Sequence, residues 1–259
     1  MKQFIKNNND EKLCIQIFEP VTNAQQLKLA IICHGITGYK EQEVIMQTVH
    51  TLINCGYKVI TFDCRNSRGE SFNNRSCATF SSMYDDLQTV IKWVKTQDFY
   101  IEPFLLVGHS LGGAVALNFA EQFPQEVNLL ILLSSIFDGN KFLQNTQKYT
   151  PEFFQQLQNG GVIRTRNGVD CYLDSTYLYD FMNYNLPAGI HNLKMPVLMI
   201  TGDQDIASTV EDNQCFYAGL KCKKEFHVLR HCSHIYDTLQ NQSDLNDAII
   251  NFIAQQNIG

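Results

Sequence analysis

The chain runs to 259 residues yet has no cluster of Lys or Arg, no apolar run long enough to cross a bilayer, no Cys-x-x-Cys pair and no Pro/Ser-rich linker. Each absence excludes something. With 20 basic side chains against 26 acidic ones and a net charge of −6, the chain lacks the basic patch that attracts nucleic acid or an anionic membrane, and a polyanionic substrate is disfavoured. Without a long apolar run, no stable membrane insertion is expected. Nine scattered cysteines, an odd number, specify neither a disulfide framework nor a zinc ribbon, and reduced thiols in a core are the expectation. The stretch Met1-Lys2-Gln3-Phe4-Ile5-Lys6-Asn7 has no apolar core of a signal peptide, which predicts a cytoplasmic setting. With neither linker nor repeat to divide it, the chain reads as one domain with an insertion.

What the sequence does have is apolar runs alternating with amphipathic stretches. Phe4-Ile5 and residues 13–18 read as strands at a sheet edge, the second alternating as Leu13, Ile15, Ile17. Further strands are expected at 29–33, 59–62, 104–107, 129–133, 196–200 and 225–229, the unbroken apolar ones as parallel strands covered on both faces. Helices are expected from Glu41, with Ile45, Val49, Leu52 and Ile53 on one stripe, and over Met83, Leu87, Val90, Ile91 and Val94. Others should follow Ser110 and begin at Ser243, the last with Leu245, Ile249, Phe252 and Ile253 on one face. The lone Trp93 reads as packing. This rhythm predicts an α/β fold, a mostly parallel central sheet with helices on both faces and ligand chemistry at the carboxyl ends of the strands.

Between residues 139 and 192 the rhythm breaks, and a small inserted cap is expected there, leaving 1–138 and 193–259 as the core. Thr150-Pro151-Glu152 reads as a helix start, Asn167-Gly168 as a hairpin turn, and a short helix is expected near Ser175. Aromatics are dense in this stretch: Phe153, Phe154, Tyr172, Tyr177, Tyr179, Phe181 and Tyr184. Most should pack the cap onto the core, and the remainder should line an apolar pocket.

The chemistry centres on Gly108-His109-Ser110-Leu111-Gly112, where an apolar strand ends and a helix begins. A Ser on a strained strand-to-helix turn needs small neighbours so that its hydroxyl projects, and Gly108 and Gly112 meet that demand. Such a Ser is a weak nucleophile until a neutral imidazole accepts its proton and a carboxylate orients that imidazole. Both types follow in the order Ser, Asp, His. Asp205, beyond a strand end and its turn, is favoured over Asp203, which tends to satisfy backbone at the turn, with Asp138 as the outside candidate. His231 and His234 share the loop after the last strand, and proximity does not choose between them.

His34-Gly35-Ile36-Thr37-Gly38, the polar loop 63–71, Gly108-His109-Ser110-Leu111-Gly112-Gly113, Gly202-Asp203-Gln204-Asp205 and His234 together resemble the α/β-hydrolase superfamily over nearly the whole chain outside 139–192. Within it the chain resembles serine esterases with a modest inserted cap, such as cinnamoyl/feruloyl esterases, and the serine-aminopeptidase-like group that includes monoacylglycerol lipases. The resemblance implies the α/β-hydrolase fold. It places the acid on Asp205, the last residue of a Gly-x-x-Asp turn, and the base on His234. His231 then stands where a small residue is usual. The oxyanion hole would be the backbone N–H groups of Ile36 and Leu111. His34 and His109 read as structural, and neither a cofactor nor a metal is implied.

The activity implied is that of a serine carboxylic-ester hydrolase working through an acyl-enzyme on Ser110, its partner a small-molecule ester. The cap aromatics lean towards small aryl or short-to-medium acyl esters. Thioesterase, monoacylglycerol-type lipase and small peptidase share the same machinery. A non-hydrolytic ligand receptor on the same fold is the reading from another class. Ser at the elbow disfavours haloalkane-dehalogenase chemistry, and a homodimer is compatible with every reading.

Overall fold

The computed structural model describes residues 1–21, 27–184 and 186–256; the rest of the spans assigned to core and cap lies outside the described residues. The chain opens with an antiparallel hairpin, β1 (Lys2–Lys6) and β2 (Lys12–Phe18), in which Lys2 faces Gln16 and Lys6 faces Lys12. β3 (Lys28–Cys33), β4 (Tyr57–Phe62), β5 (Phe104–His109) and β6 (Val127–Leu133) are the apolar runs, buried almost throughout because sheet neighbours and helices cover both faces. Between them run α1 (Glu43–Asn54), α2 (Phe80–Val94) and α3 (Leu111–Gln122). After the inserted segment come β9 (Val197–Gly202), α8 (Val210–Gly219), β10 (Lys224–Leu229) and α9 (Leu239–Ala254).

The eight strands lie in the order β1-β2-β4-β3-β5-β6-β9-β10, antiparallel at the β1 edge and parallel from β4 onward. Strand periodicity divides the core in two. Ile31, Ile60, Leu106, Leu130 and Met199 face α2, α3 and α8, whereas Ile32, Val59, Leu105, Ile131 and Leu198 face α1 and α9. This is the α/β-hydrolase architecture the motifs imply, with the edge hairpin where it is expected. Trp93 packs edge-on to Phe99 at 6.4 Å.

Helix boundaries differ from the sequence reading. α9 begins at Leu239 rather than Ser243, since the Thr238 hydroxyl caps it by accepting from the Asn241 N–H at 3.1 Å. α1 begins at Glu43, two residues after the expected start.

The segment 139–192 lies between β6 and β9. It carries α4 (Gly139–Tyr149), α5 (Pro151–Gln158), the hairpin β7 (Val162–Arg166) and β8 (Val169–Leu173), α6 (Thr176–Phe181) and the single turn α7 (Leu186–Gly189). Asn167 and Gly168 turn the hairpin, both with positive φ (48° and 77°), as a two-residue turn between twisted strands requires. Its docking is aromatic at one end. Phe80 on α2 meets Phe181 at 5.1 Å and Tyr184 at 4.0 Å, while Ser81 Oγ donates to Asp180 at 2.6 Å.

Candidate active site

Four loops at the carboxyl ends of β3, β5, β9 and β10 build the site. β5 ends at His109, Ser110 takes φ 56° and ψ −125°, and α3 starts at once with Leu111. A non-glycine residue rarely tolerates that backbone, and packing holds it. A Cβ on Gly108 would fall 2.3 Å from the Gly112 carbonyl oxygen, and one on Gly112 would fall 2.3 Å from that of His34, so both positions demand glycine. The Ser110 N–H donates to Leu133 O at 2.9 Å, tying the elbow to β6. Leu111, as the first residue of α3, has an N–H with no intrahelical acceptor, at the positive end of the helix.

Asp205 follows β9. Its Oδ1 accepts from the N–H groups of Ala207 (2.9 Å) and Ser208 (2.8 Å), and its Oδ2 accepts from His234 Nδ1 at 2.8 Å. Burial works against the charged form, but the His234 hydrogen bond and charge, with the backbone donors, outweigh it and hold Asp205 below the usual carboxylate range. With Nδ1 donating to Asp205, the neutral His234 ring keeps Nε2 as an acceptor. Ser110, His234 and Ile36 line one cavity of about 270 Å³, and Leu111 follows Ser110 as the first residue of α3. The structure thus brings the named Ser, His and Asp residues and the loop that carries Ile36 to one place.

The competing residues have other partners. Asp203 Oδ1 accepts from the Cys232 N–H at 3.1 Å, a backbone role as expected at that turn. Asp138 caps α4, accepting from the N–H groups of Asn140 (2.8 Å) and Lys141 (3.1 Å). His231 is exposed with φ 51°, while His234 takes the contact with Asp205.

The two other histidines brace the loops. His34 Nδ1 donates to Gly35 O at 2.7 Å and its Nε2 accepts from the Cys64 N–H at 3.0 Å, joining the loops after β3 and β4. Burial lowers its pKa. His109 Nε2 donates to the His234 carbonyl at 2.9 Å, so the residue before the elbow Ser holds the backbone of the histidine opposite. Burial, reinforced by the His234 charge, pushes the His109 imidazole down to about 3.

Sequence reasoning missed two features. One is the buried Lys40, whose Nζ donates to Asp63 (3.0 Å) and Glu70 (2.7 Å) and whose N–H also donates to Asp63 (2.7 Å). These contacts pin the loop that carries Ile36 to the loop after β4. Cys14, Asp63 and Glu70 bring three donor atoms within 4.8 Å of one another, but the Lys40 ammonium already supplies the cation there. The other is α4, which places Phe142, Asn145, Thr146 and Tyr149 on the Ser110 cavity beside Phe153, Leu173 and Tyr177. Of the aromatics the sequence singles out, Phe153 and Tyr177 face the cavity, and Phe181 and Tyr184 pack on Phe80.

Residues 24–173 match the family model described as serine aminopeptidase, S33. An uncharacterized protein of Mycobacterium tuberculosis is 35% identical over 108 residues, covering 40% of this chain and 28% of its own. Human phospholipase ABHD3 is 25% identical over 138 residues, covering 52% of this chain and 31% of its own. The chain thus spans about a third or less of the length of these relatives. Among solved structures, Est1E from Butyrivibrio proteoclasticus with ferulic acid bound superposes with a TM-score of 0.80 at 22% identity, covering 98% of both chains. Among the described residues, no helix is long and apolar enough to cross a membrane.

Proposed function

Because this chain belongs to the serine aminopeptidase S33 family, we propose that it is a serine esterase that cleaves small aryl or short-to-medium acyl carboxylic esters through an acyl-enzyme on Ser110. The observation that carries this reading is the 2.8 Å contact of His234 Nδ1 with Asp205 beside the cavity that Ser110 lines. Ser110 Oγ attacks the ester carbonyl carbon while His234 Nε2 takes the hydroxyl proton. The oxyanion that forms is held by the backbone N–H groups of Ile36 and Leu111. As the tetrahedral intermediate collapses, the carbon–oxygen bond to the alcohol breaks and His234 returns the proton to the departing oxygen. Water then attacks the acyl carbon with His234 as base, releasing the acid and restoring Ser110. Asp205 keeps its charge throughout and fixes the imidazole tautomer.

Ester rather than peptide substrates are favoured by the cavity lining. Among the described residues lining it there is no Asp or Glu, so the ammonium of a peptide N-terminus would lose its hydration without a counter-charge. The aromatic lining suits an aryl group, and the bound ferulic acid of Est1E is consistent with that choice. The segment 139–192 acts as the cap, since its residues supply much of the cavity wall. All nine cysteines are unpaired, which fits a reducing, cytoplasmic setting.

Labelling with a fluorophosphonate tests the reading directly. The wild type is expected to gain one adduct on the peptide carrying Ser110, and Ser110→Ala none. Folded wild-type protein that takes no label overturns the proposal.

A further inference from the structure

The cavity at Ser110 is not alone under α4. A second cavity of about 230 Å³ lies beside it, and Phe142, Asn145 and Ala207 line both. Its floor is the chain just after β6, where the Ile136 N–H approaches the Ser110 carbonyl at 3.4 Å, one residue-to-residue contact from the elbow. Phe137 and Phe216 stack at 3.9 Å to form a wall, and Pro187, Ile190 and Cys215 also line the cavity. Polar groups at the rim are spent on one another. Asp212 accepts from Asn145 (2.8 Å) and Thr209 (2.8 Å) and pairs with Lys141 (3.2 Å), while Asp138 caps α4. Most of the surface that remains to meet a ligand is apolar.

The Ser110 cavity alone falls below the range of roughly 300–1,000 Å³ usual for small-molecule sites, and the two cavities together fall within it. We propose that they are two chambers of one substrate site, so that the ester this protein takes has an apolar arm long enough to pass Phe142 and Ala207 and fill the second chamber. The proposal rests on the esterase reading above and adds the shape of the substrate. Either the acyl chain or the alcohol could supply that arm.

Cys215 is exposed on α8 and lines only the second chamber, so Cys215→Phe adds bulk there without touching the Ser110 cavity. Two ester series read the result: p-nitrophenyl acetate against octanoate, and ethyl acetate against octyl acetate. The expected outcome is that Cys215→Phe lowers the long-to-short ratio of kcat/KM at least tenfold in one series, which names the arm, while Cys215→Ser keeps the wild-type ratios. Unchanged ratios in both series overturn the proposal. Ile190→Trp replaces Cys215→Phe if circular dichroism shows the latter unfolded. If the wild type hydrolyses none of these esters, the esterase reading fails separately, and decanoate binding by calorimetry decides the chamber. Binding weakened tenfold by Cys215→Phe then supports it; no binding, or equal affinity, overturns it.

Discussion

At Asp205 both carboxylate oxygens are committed, one to two backbone N–H groups and one to His234, so the side chain cannot turn away from the imidazole. Asp205→Asn preserves shape and removes the charge, but its amide would donate where an acceptor is needed and favour the wrong tautomer of His234. By analogy with the serine protease triad, kcat/KM for a p-nitrophenyl ester should fall by about 10⁴. Steady-state kinetics read this beside a thermal melt, and near-normal turnover in folded Asp205→Asn would move the acid elsewhere. Lys40 argues at the same scale. Its side chain is 1% exposed and that of Asp63 0% exposed, so Lys40→Met leaves a carboxylate in the interior without its ammonium. The expected cost is about 3–5 kcal/mol in urea unfolding, and Lys40→Met together with Asp63→Leu should recover part of it.

The elements differ in how plainly their sequences announce them. β3, β5, β6 and β9 are legible because nearly every residue is apolar, which only a two-sided burial can satisfy. The hairpin of β7 and β8 is legible because Asn-Gly is the pair that accepts two positive φ angles. α4 is not: Gly139–Tyr149 offers only Phe142 and Leu143 as strong apolar residues before its last position, and the helix is fixed by the Asp138 cap and by contact with the rest of the fold. α8 is not either, since Val210, Cys215 and Phe216 do not recur at helical spacing. At the site, Ser110 and the Gly202 turn could be read from local spacing, whereas the choice of His234 over His231 rests on backbone geometry that spacing does not show: His231 itself is left-handed and exposed, and His234 reaches Asp205. Lys40 carried no local signal, because its partners stand 23 and 30 residues away. The docking of α6 on α2 yields its own expectation. Phe181 is fully buried against Phe80, and Phe181→Ala should cost about 3–5 kcal/mol. If the segment 139–192 undocks first, limited proteolysis will cut there before the core unfolds.

For the molecule as a whole, ionisable groups in paired or buried settings set opposite limits on pH. On the acid side, His109 is held near 3 by burial while an unfolded histidine titrates near 6.5, so its contribution is present above 6.5 and is lost as pH falls towards 3. Glu70, drawn down to about 2 by hydrogen bonds from Lys2 and Lys40, acts in the same direction below 4.5. Glu121 on α3 opposes them. Its carboxyl lies over Gly189 with Oε1 unpartnered among the described residues, and burial pushes its pKa up to about 8. The folded state therefore holds a proton that the unfolded chain releases at about 4.5, and stability from this group is full below 4.5 and is lost as pH rises through about 8. Glu121→Gln keeps the volume and cannot ionise. Between pH 5 and pH 8.5 the wild type should lose about 4 kcal/mol more than the variant, or roughly 10 °C in Tm, with the gap opening on the alkaline side. Melts at the two pH values decide it, and parallel losses in both proteins would mean that Glu121 finds a partner or water that stabilises its charge.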